Sequence, residues 1–590
     1  MCGIIGFTNS IDQLASIQII KKGIELIKHR GPDDNGYFYH PNVCLGHTRL
    51  KVIDLSSNAA QPMKSAEEKI VLVFNGEIFN YNDIRKELLK QKKINFRSDS
   101  DTEVILNAYI HWGVFCFDLF NGMFSIAIVD LNNNKLIIAR DRFGIKPLYY
   151  TTINNQFVFA SELKFFYTFQ DFVSKLNETA LFETLAYRSL AGEKTLLENV
   201  SLLSPATFAE IDLNVKSEIK MEKTCYWDLK QDTNFSMNYK DAKQHIIYLL
   251  NDSIRLRKIS DVPVGLLLSG GIDSSLVAAF DRDKDSKKIQ SFSVGFKEQS
   301  FDESKYFSYV ANKYGISNKT YIFSLSDITD SFEKCIWHLE EPINHPHTPL
   351  FFLISNHIKK YVTVILSGEA SDEIFAGYSR YTRTLNEQLS SEKNKLETIV
   401  QSSILMRYNI INKLIKNRFT LDFEKSRKAL IDNKQSMSNL QQLQYYDLKT
   451  YLPSLLLRLD KMTMAFALEA RIPFIDYRLV EFAFALPDSY KINGVNTKEI
   501  LKNIALSYFP KSFVYRPKVG FRTPFRQWFR NDPYFKKIIM KDSPINDFIN
   551  MKYVSATADK FFNGDDSFDC SDVVWSVLTL KVWSQLFLKN

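Results

Sequence analysis

Through the first third of the chain, apolar and polar positions alternate with a period of two in short blocks separated by turn residues. Lys69–Asn75, Phe124–Asp130, Lys135–Arg140, Leu148–Ile153 and Phe157–Ser161 carry this pattern and predict strands. Asn132-Asn133-Asn134 and Asn154-Asn155 separate neighbouring blocks with residues that tolerate left-handed backbone, the chemistry of hairpin turns. Helical periodicity interrupts the strands at Ala15–His29, Tyr81–Gln91 and Thr102–Trp112. Antiparallel sheets with helices packed outside them are the economical architecture for such a segment.

The rhythm changes after about residue 235. Val262–Leu268 is a continuous apolar run followed by a glycine turn and a helical stretch from Ser274. Ile289–Phe296, Thr320–Leu325 and Tyr361–Leu366 read as further strands, separated by helical segments. Buried strands alternating with helices predict a parallel sheet covered on both faces. From about residue 385 the chain reads as largely helical, and Glu392–Gln435 carries no usable signature. A length of 590 residues exceeds one ordinary core, so two domains are expected, 1–210 and 211–590.

Composition narrows the class. Hydrophobic residues at 45% and charged residues at 24% are the values of a globular protein. A net charge of +8 is spread over 75 basic and 67 acidic residues without a block of like charge, so no nucleic-acid partner is expected. No apolar run reaches membrane-spanning length and the first residues lack a signal-peptide pattern, so no membrane partner and a cytoplasmic location are expected. The six cysteines show no C-x-x-C spacing; five read as small core residues, and Cys2 is the exception.

Once Met1 is removed, Cys2 carries a thiol and a free α-amine on one residue. An amine of pKa near 8 can take the thiol proton and generate the nucleophilic thiolate. Attack on an amide needs donors for the developing oxyanion, which Asn75 and Gly76 can supply. An amino-acid substrate needs a cation for its carboxylate, such as Arg49, and carboxylates for its ammonium, such as Glu77 and Asp101. Singly these are ordinary surface charges. Together Met1-Cys2-Gly3-Ile4, Arg30-Gly31-Pro32-Asp33, His47-Thr48-Arg49-Leu50, Asn75-Gly76-Glu77, Ser100-Asp101-Thr102-Glu103 and Ala139-Arg140-Asp141-Arg142-Phe143-Gly144 resemble, in order and spacing, the N-terminal-nucleophile glutaminase domain. The resemblance implies an αββα sandwich of α+β class. It also implies that Cys2 forms the glutamyl thioester, that Asn75 and Gly76 form the oxyanion hole, and that Arg49, Glu77 and Asp101 hold glutamine.

In the second half, Ser269-Gly270-Gly271-Ile272-Asp273-Ser274 follows a strand and opens a helix, a place where backbone amides can approach phosphate. It lacks the Gly-Lys-Ser/Thr of a kinase-like loop. Leu366-Ser367-Gly368-Glu369-Ala370-Ser371-Asp372-Glu373 ends another apolar strand. Loops at the carboxyl ends of parallel strands meet over a ligand, which would bring Asp273 and Asp372 together on Mg2+.

With Glu340-Glu341-Pro342, Leu457-Arg458-Leu459-Asp460-Lys461, Glu469-Ala470-Arg471-Ile472-Pro473-Phe474 and Arg516-Pro517-Lys518-Val519-Gly520-Phe521, these segments resemble the B-type, glutamine-hydrolysing asparagine synthetases over almost the whole chain. The resemblance implies an adenine-nucleotide α-hydrolase-like α/β domain with a helical C-terminal part. ATP would be bordered by Leu268, Ser269, Gly270, Gly271, Asp273, Ser274, Val294, Ser367 and Gly368. Glu369 would act in amidation, and Lys498 would stabilise the charged transition state of adenylation. ATP and Mg2+ are the implied cofactors, with glutamine and a carboxylate as small-molecule substrates, and a homodimer is left open. Aspartate is the expected acceptor; the alternative is a sugar uronic acid of surface-polysaccharide (O-antigen or capsule) synthesis. Ser204-Pro205-Ala206 departs from the family's usual Pro-Gly at this point.

Overall fold

The computed structural model describes residues 2–8, 12–91, 94–214, 219–230, 235–281, 289–390, 395–417, 422–517, 523–530, 532–565 and 567–588. Met1 and Lys518 to Phe521 of the motifs above lie outside them.

Two six-stranded antiparallel sheets form the N-terminal part. The first runs in the order Val200–Leu202, Tyr149–Ile153, Gln156–Ala160, Gly3–Thr8, Val43–Arg49, Asp34–His40; the second runs Met221–Cys225, Thr207–Asp212, Lys135–Arg140, Gly122–Asp130, Ile70–Ile78, Met63–Lys64. Period-two alternation divides their side chains between layers. Ile4, Val71, Val73, Ala127 and Ile138 fill the space between the sheets. Leu72, Phe74, Ile126 and Ile137 point the other way, into the core under the helices Tyr81–Gln91 and Asp101–Trp112. Ile5 and Phe7 pack outward with Ile20 and Ile24 of the helix Gln13–Leu26. The result is the αββα sandwich.

Asn134, Asn154 and Asn155 adopt φ values of +50°, +47° and +60°, as the hairpin turns require. The helix expected to reach His29 ends at Leu26 and continues as a 3-10 turn over Lys28–Arg30. The boundary expected at 210 falls inside the strand Thr207–Asp212, and the sheet continues through Met221–Cys225.

The second half holds a five-stranded parallel sheet in the order Asn318–Ile322, Gln290–Gly295, Val264–Leu267, Val364–Leu366, Glu469–Arg471. Strands two and four of that order flank Val264–Leu267 on opposite sides, so the chain reverses direction of travel there and opens a crevice at the carboxyl ends. The expected strand Thr320–Leu325 is shifted to Asn318–Ile322, because Ser324 and Asp327 form a capping box that starts the helix Leu325–Leu339. The helix expected from Ser274 begins at Ile272. The fifth strand, Glu469–Arg471, is new: three residues with two charges carry no strand pattern. Cys225 is exposed and Cys570 only half-buried, unlike the other core cysteines. No described helix is long and apolar enough to cross a membrane.

Candidate active sites

Cys2 is buried at the head of the strand Gly3–Thr8. Its backbone N–H donates to Asn75 Oδ1 at 3.1 Å, and its carbonyl accepts from Arg30 Nε at 3.0 Å. Burial pushes the thiol pKa up, against a hydrogen bond from the Leu50 amide and the Arg49 charge, which pull it down. Asn75 is fully buried in the strand Ile70–Ile78, and its amide donates to Ser125 Oγ at 3.3 Å. Gly76 has a φ of +155°, and a Cβ there would meet Met123 O at 2.0 Å, so the strand needs glycine beside Asn75.

The predicted substrate-binding residues converge on this point. Arg49 is buried and donates to the carbonyls of Ser56 at 2.8 Å and Asp54 at 2.5 Å, an inward-turned loop. Asp101 accepts the Ile78 N–H at 3.0 Å, and burial raises its pKa to about 6. Glu77 is raised by burial and by Glu469 and Asp101. His47, one strand position from Thr48, donates from Nε2 to Phe74 O at 3.2 Å, and burial drives its pKa down to about 3.

Two residues that local sequence does not single out enter from the second half. Arg471 lies 3.6 Å from Glu77 Oε1 and donates Nε to Glu469 at 2.6 Å. It also gives Nη1 to the carbonyls of Arg257 and Ile259 at 2.9 and 2.6 Å. Its own carbonyl accepts the Ser367 N–H at 2.9 Å, so this three-residue strand touches both candidate sites. Asp460 accepts from Arg30 at 2.8 Å and from Lys146 at 3.0 Å. Both residues stand in quoted motifs, but nothing along the chain distinguishes such a charge from a solvated one.

At the carboxyl end of the parallel sheet the two loops face each other across a cleft of about 1540 Å³. Leu268, Ser269, Gly271, Asp273, Ser274, Val294, Ser367, Gly368, Glu369, Asp372 and Lys498 line it. Gly270 serves the turn instead, with a φ of +80° where a Cβ would meet Phe307 N at 2.8 Å. Its carbonyl accepts from Arg516 at 3.1 Å. Ser269 N–H donates to Ser274 Oγ at 3.2 Å, closing the loop over the helix Ile272–Phe280 and leaving its N-terminal amides toward the cleft. Gly368 packs on that helix: a Cβ there would meet Ser274 N at 2.7 Å.

Lys498 is the electrostatic centre. Its ammonium lies 2.9 and 2.8 Å from the two oxygens of Asp273 and 2.9 Å from Asp372 Oδ1. The two carboxylates raise its pKa above the ordinary lysine value although burial, the largest influence, opposes them. Ser371 Oγ donates to Asp273 at 2.7 Å. Glu369 is half-buried, 3.4 Å from Arg458 Nη2, while Arg458 Nη1 meets His347 Nε2 at 2.8 Å. Burial holds His347 and His345 well below the usual histidine range, which keeps them neutral beside that guanidinium.

Among the described residues no cluster of three or more His, Cys, Asp or Glu forms a protein-only metal site. Two convergent carboxylates fit Mg2+ carried in with phosphate, which takes one or two protein carboxylates and completes its octahedron with phosphate oxygens and water.

Two family models match the chain: one described as asparagine synthase over residues 245–585, and one described as a glutamine amidotransferase domain over residues 1–227. Asparagine synthetase [glutamine-hydrolyzing] 1 of Bacillus subtilis (strain 168) is 32% identical over 633 aligned positions, covering 100% of this chain and 97% of its own length. The same organism's asparagine synthetases [glutamine-hydrolyzing] 3 and 2 are 29% and 31% identical over 88% of this chain, covering 86% and 72% of their own lengths. With both halves matched and one relative aligned from end to end, this chain belongs to the asparagine synthase family and carries its glutamine amidotransferase domain.

Proposed function

We propose that this chain is a glutamine-hydrolysing asparagine synthetase: L-aspartate, L-glutamine, ATP and water give L-asparagine, L-glutamate, AMP and diphosphate. The observation that carries the proposal is the Lys498 ammonium set between Asp273 and Asp372 at the mouth of a Ser-Gly-Gly phosphate loop. In an end-to-end relative of asparagine synthetases, a paired-carboxylate and lysine centre suits adenylation rather than phosphoryl transfer by a Walker-type loop.

In the N-terminal half, Arg49 would pair with the glutamine carboxylate and Glu77 and Asp101 with its ammonium, bringing the side-chain amide to Cys2. The Cys2 amine accepts the thiol proton and the thiolate attacks the amide carbon. Asn75 and Gly76 stabilise the oxyanion, ammonia leaves, and water hydrolyses the thioester to glutamate.

In the second half, helix-terminal amides and the Ser269 and Ser274 hydroxyls would seat the ATP phosphates. A carboxylate oxygen of the acceptor attacks the α-phosphorus and pyrophosphate leaves, while Lys498 offsets the charge that builds on the phosphoryl oxygens. Asp273 and Asp372 would hold Mg2+, which would supply charge neutralisation for the departing pyrophosphate. Ammonia then attacks the acyl carbon, Glu369 accepts a proton, and AMP departs with the amide formed. A cleft of about 1540 Å³ accommodates nucleotide and acceptor side by side. Ammonia is mostly protonated in water at neutral pH, so a dry internal route between the sites belongs to this mechanism.

Mass spectrometry of products from the full chain with glutamine, Mg-ATP and aspartate tests the proposal. Asparagine formed one-for-one with AMP and pyrophosphate is the expected result. Glutamate released without asparagine or AMP would reject aspartate and redirect the search to sugar uronic acids.

A further inference from the structure

A residue that becomes the first of a chain has lost its upstream peptide, so its orientation depends on the contacts of its own amine and carbonyl. On the amine side, Cys2 has Asn75 Oδ1. On the carbonyl side Arg30 donates to it, from a guanidinium that is fully buried. That guanidinium is oriented by two carboxylates: Glu162, 3.2 Å from Nη1, and Asp460, 2.8 Å from Nη2.

Glu162 belongs to the glutaminase half. Asp460 does not: it projects from the helix Leu452–Met464, 430 positions away from Arg30. Its second oxygen takes Lys146 Nζ at 3.0 Å, so both carboxylate oxygens face cations of the N-terminal half. Burial would raise the Asp460 pKa, but Arg30 and Lys146 outweigh it and hold the carboxyl below the usual carboxylate range. The same helix carries Arg458 onto Glu369 and Lys461 onto Glu340, which in turn accepts the Leu163 and Lys164 amides at 2.9 Å each. A helix fixed at both ends of the boundary is a rigid support for the group it presents.

We propose that Asp460, in the ATP-dependent half, is a positioning residue for the glutaminase nucleophile, holding Arg30 so that Arg30 holds the Cys2 carbonyl. The proposal rests on Cys2 being the nucleophile of glutamine hydrolysis. Glutamine is bound by other groups, Arg49, Glu77 and Asp101, so loosening Arg30 disturbs the alignment of the thiol and amine more than the binding of substrate. The glutaminase is then fully competent only when docked on the synthetase half.

The test is steady-state glutamine hydrolysis by the full chain carrying Asp460→Asn, which keeps the shape of the side chain and removes its charge. The expected result is a fall in kcat of at least tenfold with KM for glutamine held within threefold. Lys146→Met, which releases Asp460 from its other partner and leaves it to Arg30, is expected to keep kcat within threefold. Arg30→Lys, whose one ammonium cannot span the Cys2 carbonyl and Asp460, should lose kcat as Asp460→Asn does, and serves if that variant does not fold. Wild-type kcat in Asp460→Asn would overturn the proposal. So would an equal loss in Lys146→Met and Asp460→Asn, or a loss in KM alone, since each would mark a merely structural cluster. A wild-type chain that releases no glutamate from glutamine would instead refute the glutaminase assignment, and is recognised before any variant is compared.

Discussion

Replacing Lys498 with methionine keeps the length of the stem and removes the charge from a point where three carboxylate oxygens lie within 2.9 Å. Removing one partner of a fully buried ion pair costs about 3–5 kcal/mol, because the remaining charge stays desolvated. Here the side chains of Asp273 and Asp372 keep 18% and 19% of their exposure and face an open cleft, so a cost of about 2 kcal/mol is expected. Mg2+ can occupy the vacated position between the carboxylates. At a free concentration one hundred times its dissociation constant it would return about 2.7 kcal/mol. Thermal unfolding of Lys498→Met should therefore recover as Mg2+ is titrated, while the wild-type chain, with its own cation in place, responds less.

The effect on chemistry should be larger than the effect on folding. One preorganised cation or donor at a developing oxyanion is worth about 10²–10³ in rate, or about 2.7–4 kcal/mol. Pyrophosphate release with ATP, Mg2+ and aspartate should fall by that factor in Lys498→Met, and glutamate release from glutamine should persist, since the ion-pair partners of Lys498, Asp273 and Asp372, both lie in the second half. Pyrophosphate formation within threefold of wild type would refute the assignment of Lys498 to adenylation. Mg2+-insensitive stability of the variant would refute the picture of Lys498 and Mg2+ as alternative cations for one pair of carboxylates.

Cys2→Ala should abolish glutamine hydrolysis while ammonium salts still support amide formation; simultaneous loss of both activities would contradict the two-site division of labour. His47 is buried neutral with its pKa near 3 against 6.5 when unfolded, so protonation favours the unfolded chain and stability falls as pH drops below 6.5. Relative to wild type, His47→Gln should lose about 2 kcal/mol less between pH 7 and pH 5, measured by denaturant unfolding, and an identical loss in both would be inconsistent with a neutral buried imidazole. Ala206 has a left-handed φ of +55° and is fully buried. In Ala206→Gly about 1 kcal/mol of backbone strain is relieved and a buried methyl worth about 0.8 kcal/mol is lost, so stability should stay within about 1 kcal/mol of wild type. A loss of more than 2 kcal/mol in Ala206→Gly would show that packing governs this turn.

The same Ala206 shows what can be read from sequence and what cannot. Its departure from Pro-Gly is visible as a string of letters, but its meaning needs the dihedral: the turn keeps the left-handed backbone and bears the strain. Period-two patterning was legible wherever one face of a strand meets one core and the other face meets another, as in Ile70–Ile78 with Val71 and Val73 inward and Leu72 and Phe74 outward. It failed for Glu469–Arg471, a strand too short to show a period and too charged to look buried. The phosphate loop was legible because its chemistry is local: turn, helix start and serines lie within six consecutive residues, Ser269 to Ser274. Lys498 was recognisable only through resemblance, since its partners Asp273 and Asp372 are distant in sequence.

The hardest features to read were charges that are not at the surface. Arg30, Arg471, Asp460 and Lys461 are each 2% exposed or less. In sequence they look like any solvated side chain, because burial of a charge is a property of its partners, and most of these are distant along the chain: Glu162 and Asp460 for Arg30, Glu77 for Arg471, Glu340 for Lys461. A boundary built from such groups has a functional consequence. Apolar surfaces could hold the halves together as firmly, since a buried ion pair adds little net stability over a hydrophobic replacement. What paired charges add is direction: Arg30 can satisfy Cys2, Glu162 and Asp460 together in one orientation of the guanidinium. For two centres that must pass ammonia between them, fixed orientation across the boundary matters more than adhesion. The same reasoning separates the boundary from the cleft, where Lys498 sits between carboxylates that stay partly open to water and can exchange their cation.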